Sequence, residues 1–103
     1  MSVDVKTSVL DEAKRIVNGA RRADYGKPED NFKRIADLWN VHLVNTGREG
    51  SITPKDVAAF MVLMKVARLA ETPDHRDSIV DIIGYAACYA EIVLPVPQYV
   101  LDD

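Results

Sequence analysis

Apolar residues recur at helical spacing in four segments of the 103-residue chain, and no segment of any length alternates as a β-strand would. The spacing predicts helices over about 8–22, 28–45, 54–70 and 76–93, followed by an extended tail over 95–103. The links between the helices are short. The pattern therefore predicts one all-α domain with a four-helix bundle-like architecture.

The third predicted helix is apolar on nearly every side, which is typical of a buried helix. Only Lys65 and Arg68 interrupt its second half, three positions apart and so on one face. The fourth predicted helix carries Asp77 and Asp81, four apart and also on one face. Because Thr-Pro-Asp at 72–74 signals a turn, we expect these two helices to fold back on each other.

An antiparallel hairpin centred on this turn places Lys65 level with Asp81, and Arg68 level with Asp77, so all four charges are expected in the driest part of the molecule. Isolated buried charges are costly, so the four side chains are expected to pair, to bind a charged ligand or to line a wet cleft. Both structural ion pairing and a binding site remain open at this stage.

Local signals predict several helix ends. Ser8 and Asp11 resemble a capping box for the first helix, and Gly47 is typical of a helix stop. Thr53, followed by proline and then Asp56, predicts a well-capped start for the third helix.

Other residues are candidates for ligand contact. Asp24 and Tyr25 precede Gly26 in the first loop, which is either a plain turn or a loop offering a carboxylate and a ring to a ligand. Tyr85 extends the face of Asp81, where its ring either packs or contacts the same ligand. Gly84, inside the fourth helix, predicts close packing or a ligand's approach.

Composition narrows the function classes. A net charge of −3 and a pI near 5.3 argue against nucleic-acid binding, and a single cysteine excludes an internal disulfide. No signal peptide is evident, and the apolar run at 57–64 is too short to span a membrane. We expect a cytoplasmic protein, in the host cytoplasm if it is phage-encoded. Broad apolar faces on so short a chain predict a homodimer or a higher homo-oligomer.

Four short patterns point to a family. They are Asp-Tyr-Gly at 24–26, Thr-Pro at 53–54, Lys-x-x-Arg-Leu at 65–69, and Asp-x-x-x-Asp-x-x-Gly-Tyr at 77–85. Over roughly 8–93 the chain resembles small tailed-phage proteins of unassigned function. That group in turn is similar to the MazG-like all-α nucleoside triphosphate pyrophosphatases.

The MazG-like resemblance implies a metal site that this chain has altered. Those enzymes hold Mg²⁺ between a Glu-x-x-Glu and a Glu-x-x-Asp on neighbouring helices. Here Lys65 and Arg68 stand at the first pair of positions and Ser78 at the glutamate of the second, while Asp81 matches its aspartate. Asp77 is one residue away from the missing glutamate. The resemblance thus implies Asp77 and Asp81 as catalytic residues and Mg²⁺ ligands, with the metal brought by a bound nucleotide.

Three hypotheses for the function follow. The resemblance narrowly favours a phage nucleotide pyrophosphohydrolase. Cations where acids are expected favour instead a non-catalytic module that senses or sequesters a nucleotide, because lysine and arginine contact phosphate directly. The residues proposed to bind the phosphate-containing ligand are Lys65, Arg68, Asp24, Tyr25 and Tyr85. The third hypothesis is a structural, partner-binding helical protein whose charges pair in its core.

Overall fold

The computed structural model describes residues 4–19 and 27–101, with positions 100 and 101 described for the backbone alone. These residues form helices α1, α2, α3, α4 and α5 over Val5–Asn18, Pro28–Asn45, Pro54–Glu71, Arg76–Val93 and Gln98–Leu101. No strand occurs in this part of the chain, which confirms the all-α class.

The start of α1 differs from the sequence prediction. The helix begins three residues earlier than expected because Asp4, not Ser8, is its N-cap: the Asp4 carboxylate accepts a hydrogen bond from the Thr7 backbone N–H at 2.7 Å. That bond holds the pKa of Asp4 below its ordinary value. Ser8 Oγ accepts a hydrogen bond from Arg76 of α4 at 2.8 Å. The predicted end of this helix, at 20–22, lies outside the described residues.

The far end of the chain also differs. An extended tail was expected over 95–103, but Gln98–Leu101 forms the short helix α5. The Tyr99 side chain of α5 is 74% exposed, so it packs little against the rest of the chain.

Helix α4 is the centre of the packing. It contacts α1, α2 and α3, and its contact with α3 is the most extensive, as the predicted hairpin requires. Helices α1 and α2 do not contact each other within the described ranges. A small core lies between α2 and α3, with buried Phe32, Ala36, Val57 and Ala58 at its centre. Cys88 of α4 packs half-buried against this core.

Two predicted helix ends are confirmed. The Asp56 carboxylate accepts hydrogen bonds from both the backbone N–H and the hydroxyl of Thr53, at 2.9 and 2.8 Å, at the start of α3. After α2, Gly47 has a φ of +80°, which glycine adopts without strain. The Arg48 N–H then donates to the Leu43 carbonyl at 2.7 Å, closing the turn expected at a glycine stop.

The connection from α2 to α3 is held by one side chain that the sequence did not single out. Asn40 Nδ2 donates to the Ile52 carbonyl, and Asn40 Oδ1 accepts from the Ile52 N–H, both at 2.9 Å. The loop passes so close that a Cβ on Gly50 would lie 3.1 Å from the Asn40 carbonyl oxygen. The Asn40 amide therefore pairs with the loop as a neighbouring strand would.

Asn40→Asp is expected to lower the free energy of unfolding by about 1–3 kcal/mol, because an oxygen replaces the donor that faces the Ile52 carbonyl. Urea denaturation measures the loss. The control is Asn45→Asp, on the exposed last residue of α2, where the helix dipole opposes an acid at least as strongly. Equal losses in the two variants would show that the paired hydrogen bonds contribute nothing.

Candidate functional site

Lys65 and Asp81 form an ion pair in the α3–α4 hairpin. Lys65 Nζ lies 2.9 Å from Asp81 Oδ2, and the two side chains are only 15% and 17% exposed. The hairpin register predicted that Lys65 and Asp81 lie level with each other, and the structure confirms this; of the alternatives left open for them, it shows an ion pair. A pair so shielded from water interacts more strongly than one on the surface.

The other two predicted charges do not join this pair. Arg68 and Asp77 are both exposed, and neither forms an ion pair with another described residue. They lie in the last turn of α3 and the first turn of α4, at the tip of the hairpin, where residues 70–74 are also exposed. The expectation of four charges in the dry interior is therefore wrong for Arg68 and Asp77.

The first turn of α4 is fixed by a residue that the sequence analysis missed. His75 is the N-cap, and its Nδ1 lies 2.7 Å from Ser78 Oγ and accepts from the Ser78 N–H at 3.2 Å. Ser78 is fully buried. Ser78, which the sequence analysis aligned with a metal-binding glutamate, is thus a buried residue that serves the helix cap. The one signal in the sequence for this cap was that His75, a polar residue, directly precedes the predicted start of the helix.

A cavity of about 210 Å³ lies beside Asp81, between α1, α2 and α4, with Met61 of α3 at one wall. Its walls are mostly apolar. The polar residues on it are Asn31, Asp81 and Tyr85, and Phe32 contributes a second ring, centred 6.3 Å from that of Tyr85. Sequence analysis named Asp81 and Tyr85 here but not Asn31 or Phe32.

Two polar groups on this cavity can still hydrogen-bond to a ligand. Asp81 uses Oδ2 to bind Lys65, and the Asn31 side-chain amide makes no hydrogen bond to the other described residues. In the described part of the chain, no fully buried side-chain nitrogen or oxygen lacks a partner. The Asn31 amide and Asp81 Oδ1 are therefore reached by solvent, and a ligand in the cavity can reach them too.

Gly84 lines the same cavity where α4 meets α1. A Cβ built on it would lie 3.4 Å from Val17 Cγ1, which is ordinary van der Waals contact. An alanine would therefore fit, so the packing of α4 on α1 does not require a glycine at this position. Asp24 and Tyr25, the loop candidates, lie outside the described residues.

The acidic side chains of this site do not match a resident Mg²⁺ site. Mg²⁺ prefers several oxygen ligands in octahedral geometry, whereas Asp81 is already neutralised by Lys65. Within residues 4–19 and 27–101, no three His, Cys, Asp or Glu side chains come together closely enough to hold a metal ion. No catalytic step through a protein-held metal is therefore assigned.

A search of the described helices for membrane spans found none with both the length and the apolar character to cross a bilayer.

Residues 8–93 match the family model of a domain of unknown function, DUF6378. The chain is 43% identical to the Gene 55 protein of Mycobacterium phage L5 over 88 residues, which cover 85% of this chain and 54% of that protein. It is 46% identical to the Gene 55 protein of Mycobacterium phage D29 over 85 residues, covering 82% and 53%.

The chain spans about half the length of these curated relatives. The predicted resemblance to phage proteins of unassigned function is confirmed. No solved structure matches the chain.

Proposed function

The chain belongs to the DUF6378 family, and we propose that its helical unit binds a nucleotide, with the base in the cavity beside Asp81 and the phosphates outside it. The observation that carries the proposal is a single juxtaposition. An apolar, ring-walled cavity ends at the Asp81 carboxylate, whose Oδ1 has no partner among the described residues, and Lys65 binds the other oxygen of that carboxylate.

The size of the cavity favours a base over a whole nucleotide. At about 210 Å³ it is smaller than the roughly 300–1,000 Å³ typical of pockets for drug-sized ligands. Only the flat part of a nucleotide fits inside it. Phe32 and Tyr85 provide the apolar surface that a base stacks against. For the edge of the base, Asp81 provides an acceptor and the Asn31 amide provides both a donor and an acceptor.

The cations suit the charged part of the ligand. Lys65 lies behind Asp81, and Arg68 follows one turn later on α3, exposed and without an ion pair to another described residue. An arginine in that state is available to grip a phosphate with two parallel hydrogen bonds. Phosphates that extend from the cavity past Asp81 toward the hairpin tip would therefore lie near Arg68.

Hydrolysis of the bound nucleotide is a second candidate, and Asp77 is the observation that favours it. Asp77 lies one turn before Asp81, is exposed, and has no cation paired to it among the described residues. It is thus available to a Mg²⁺ that arrives on the phosphates. This version agrees with the MazG-like resemblance; the plain binding module, which senses or sequesters the nucleotide, requires only the cavity and the cations.

Titration calorimetry with a panel of nucleosides, nucleoside monophosphates and triphosphates tests the proposal. One base should bind, and Asp81→Asn should weaken both its nucleoside and its nucleotide by roughly 10–100-fold, the loss of a hydrogen bond to a charged group. Arg68→Ala should weaken the nucleotide while leaving the nucleoside unchanged, because it acts on phosphate alone.

Asp37→Asn is the matched control, since it removes the same charge from an exposed carboxylate of α2 that is likewise paired with a lysine, Lys33, but does not line the cavity. Its affinities should equal those of the wild type. Absence of binding across the panel would overturn the proposal. Repeating the panel with Mg²⁺ and an assay for released pyrophosphate then separates an enzyme from a binding module.

A further inference from the structure

Helix α3 carries an exposed apolar surface that one copy of the chain leaves uncovered. Phe60, Leu63 and Met64 are 44%, 62% and 47% exposed, and Ala67 continues their line at the next turn. These residues follow the i, i+3, i+4, i+7 spacing of a single helix face. We call these four residues, Phe60, Leu63, Met64 and Ala67, the α3 stripe. No charge lies on it.

The molecule exposes more surface than a monomer of its mass normally does. Its accessible area is 7567 Å², whereas a folded monomer of 11.5 kDa exposes about 5,800 Å². Its radius of gyration is 15.9 Å, against about 13 Å for a compact chain of this length. A stable complex needs about 800 Å² from each partner, and the exposed apolar surface of α3 is where such an area is available.

The order of residues along the stripe fits a second copy of the same helix. If two α3 helices pack antiparallel about a two-fold axis between residues 63 and 64, Phe60 faces Ala67 of the other copy, and Leu63 faces Met64. A bulky ring then meets a small side chain at both outer positions, as good packing requires. Trp39, stacked on Phe60 at 6.1 Å, adds an aromatic anchor beside the stripe.

Charges do not oppose this arrangement at its centre. In the same register Asp56 faces Glu71 of the other copy, but only at the two ends of α3, beyond the stripe, where crossed helices diverge. Asp56 is already bound to Thr53 and lies 3.8 Å from the Lys55 ammonium group. Lys65, on another face of α3, is paired within its own chain.

We propose that the α3 stripe is the contact surface of a homodimer, in which α3 packs antiparallel against α3 of a second copy. This inference is independent of the nucleotide site, because no residue of the stripe lines the cavity.

Sedimentation equilibrium tests the dimer. The wild-type chain should have twice its 11.5 kDa mass, and Leu63→Glu should raise the dissociation constant at least about 30-fold by placing two carboxylates next to the axis. The matched control is Leu94→Glu, a leucine of equal exposure, 63% against 62%, outside the stripe. A wild-type monomer at 100 µM, or equal effects of the two variants, would overturn the proposal.

Cross-linking locates the axis even if Leu63→Glu fails to fold. Under mild oxidation Met64→Cys should form a disulfide-linked dimer on a non-reducing gel, because residue 64 lies beside the two-fold axis. The wild type, which retains Cys88, and Leu94→Cys should not. A Met64→Cys protein that remains monomeric on the gel, or that cross-links no faster than Leu94→Cys, would exclude the antiparallel α3 contact.

Discussion

Phe32→Ala is expected to lower the free energy of unfolding by about 3–5 kcal/mol, the usual cost of removing a large ring from a core. Phe32 is 6% exposed and is the largest of the four residues at the centre of the α2–α3 core. Its neighbours there include two alanines, which cannot move in to fill the space. Because small domains are stable by only about 5–15 kcal/mol, this one ring accounts for a large share.

Urea denaturation followed by circular dichroism measures this loss. Tyr99→Ala is the control, since it also truncates an aromatic side chain but at a position that is 74% exposed, and it should cost less than about 0.5 kcal/mol. Similar losses at the two positions would contradict the central role given to Phe32.

Breaking the Lys65–Asp81 ion pair is expected to cause the second large loss of stability. Asp81→Leu leaves a lysine that is 15% exposed without its partner, and we expect a loss of about 2–3 kcal/mol, below the 3–5 kcal/mol of a fully buried pair. The double variant, Lys65→Met with Asp81→Leu, should return to within about 1 kcal/mol of the wild type. A double-mutant cycle in urea measures the difference, and additive losses would show that the two charges do not depend on each other.

The same double variant separates a structural pair from a binding site. It retains a filled core but has neither the carboxylate at the cavity nor the cation behind it. We expect it to fold and to lose nucleotide binding. Wild-type affinity in this variant would mean that the pair serves stability alone and that the cavity proposal is wrong.

Local chemistry explains why much of the hairpin was predictable. Proline inside the start of α3, the Thr53–Asp56 cap and the glycine after α2 each act within a few residues, so they can be read directly from the sequence. Once the turn at 72–74 is fixed, the rise per residue of the two helices alone places Lys65 and Asp81 at the same height. No tertiary information is needed for that pair.

Features that depend on distant parts of the chain were missed. Ser8 looked like an N-cap, but Arg76, 68 residues away, binds its hydroxyl, and Asp4 caps the helix instead. Asn40 holds a loop 12 residues away, and no local sequence pattern distinguishes it from the other asparagines of the chain. The cavity likewise exists only because α1, α2 and α4 meet, so Asn31 gave no signal of its role.

The cavity keeps its shape only while α1 stays attached to α4. Within the described residues α1 packs on α4 alone, held at one end by the contacts of Arg76 with Ser8 and Glu12. The side chains of Ala13, Ile16 and Val17 form one wall of the cavity. Detaching α1 disturbs one helix–helix contact, whereas opening the hairpin breaks the core. The integrity of the cavity wall therefore depends on the docking of one helix, which opens locally at a lower free energy than the whole protein unfolds.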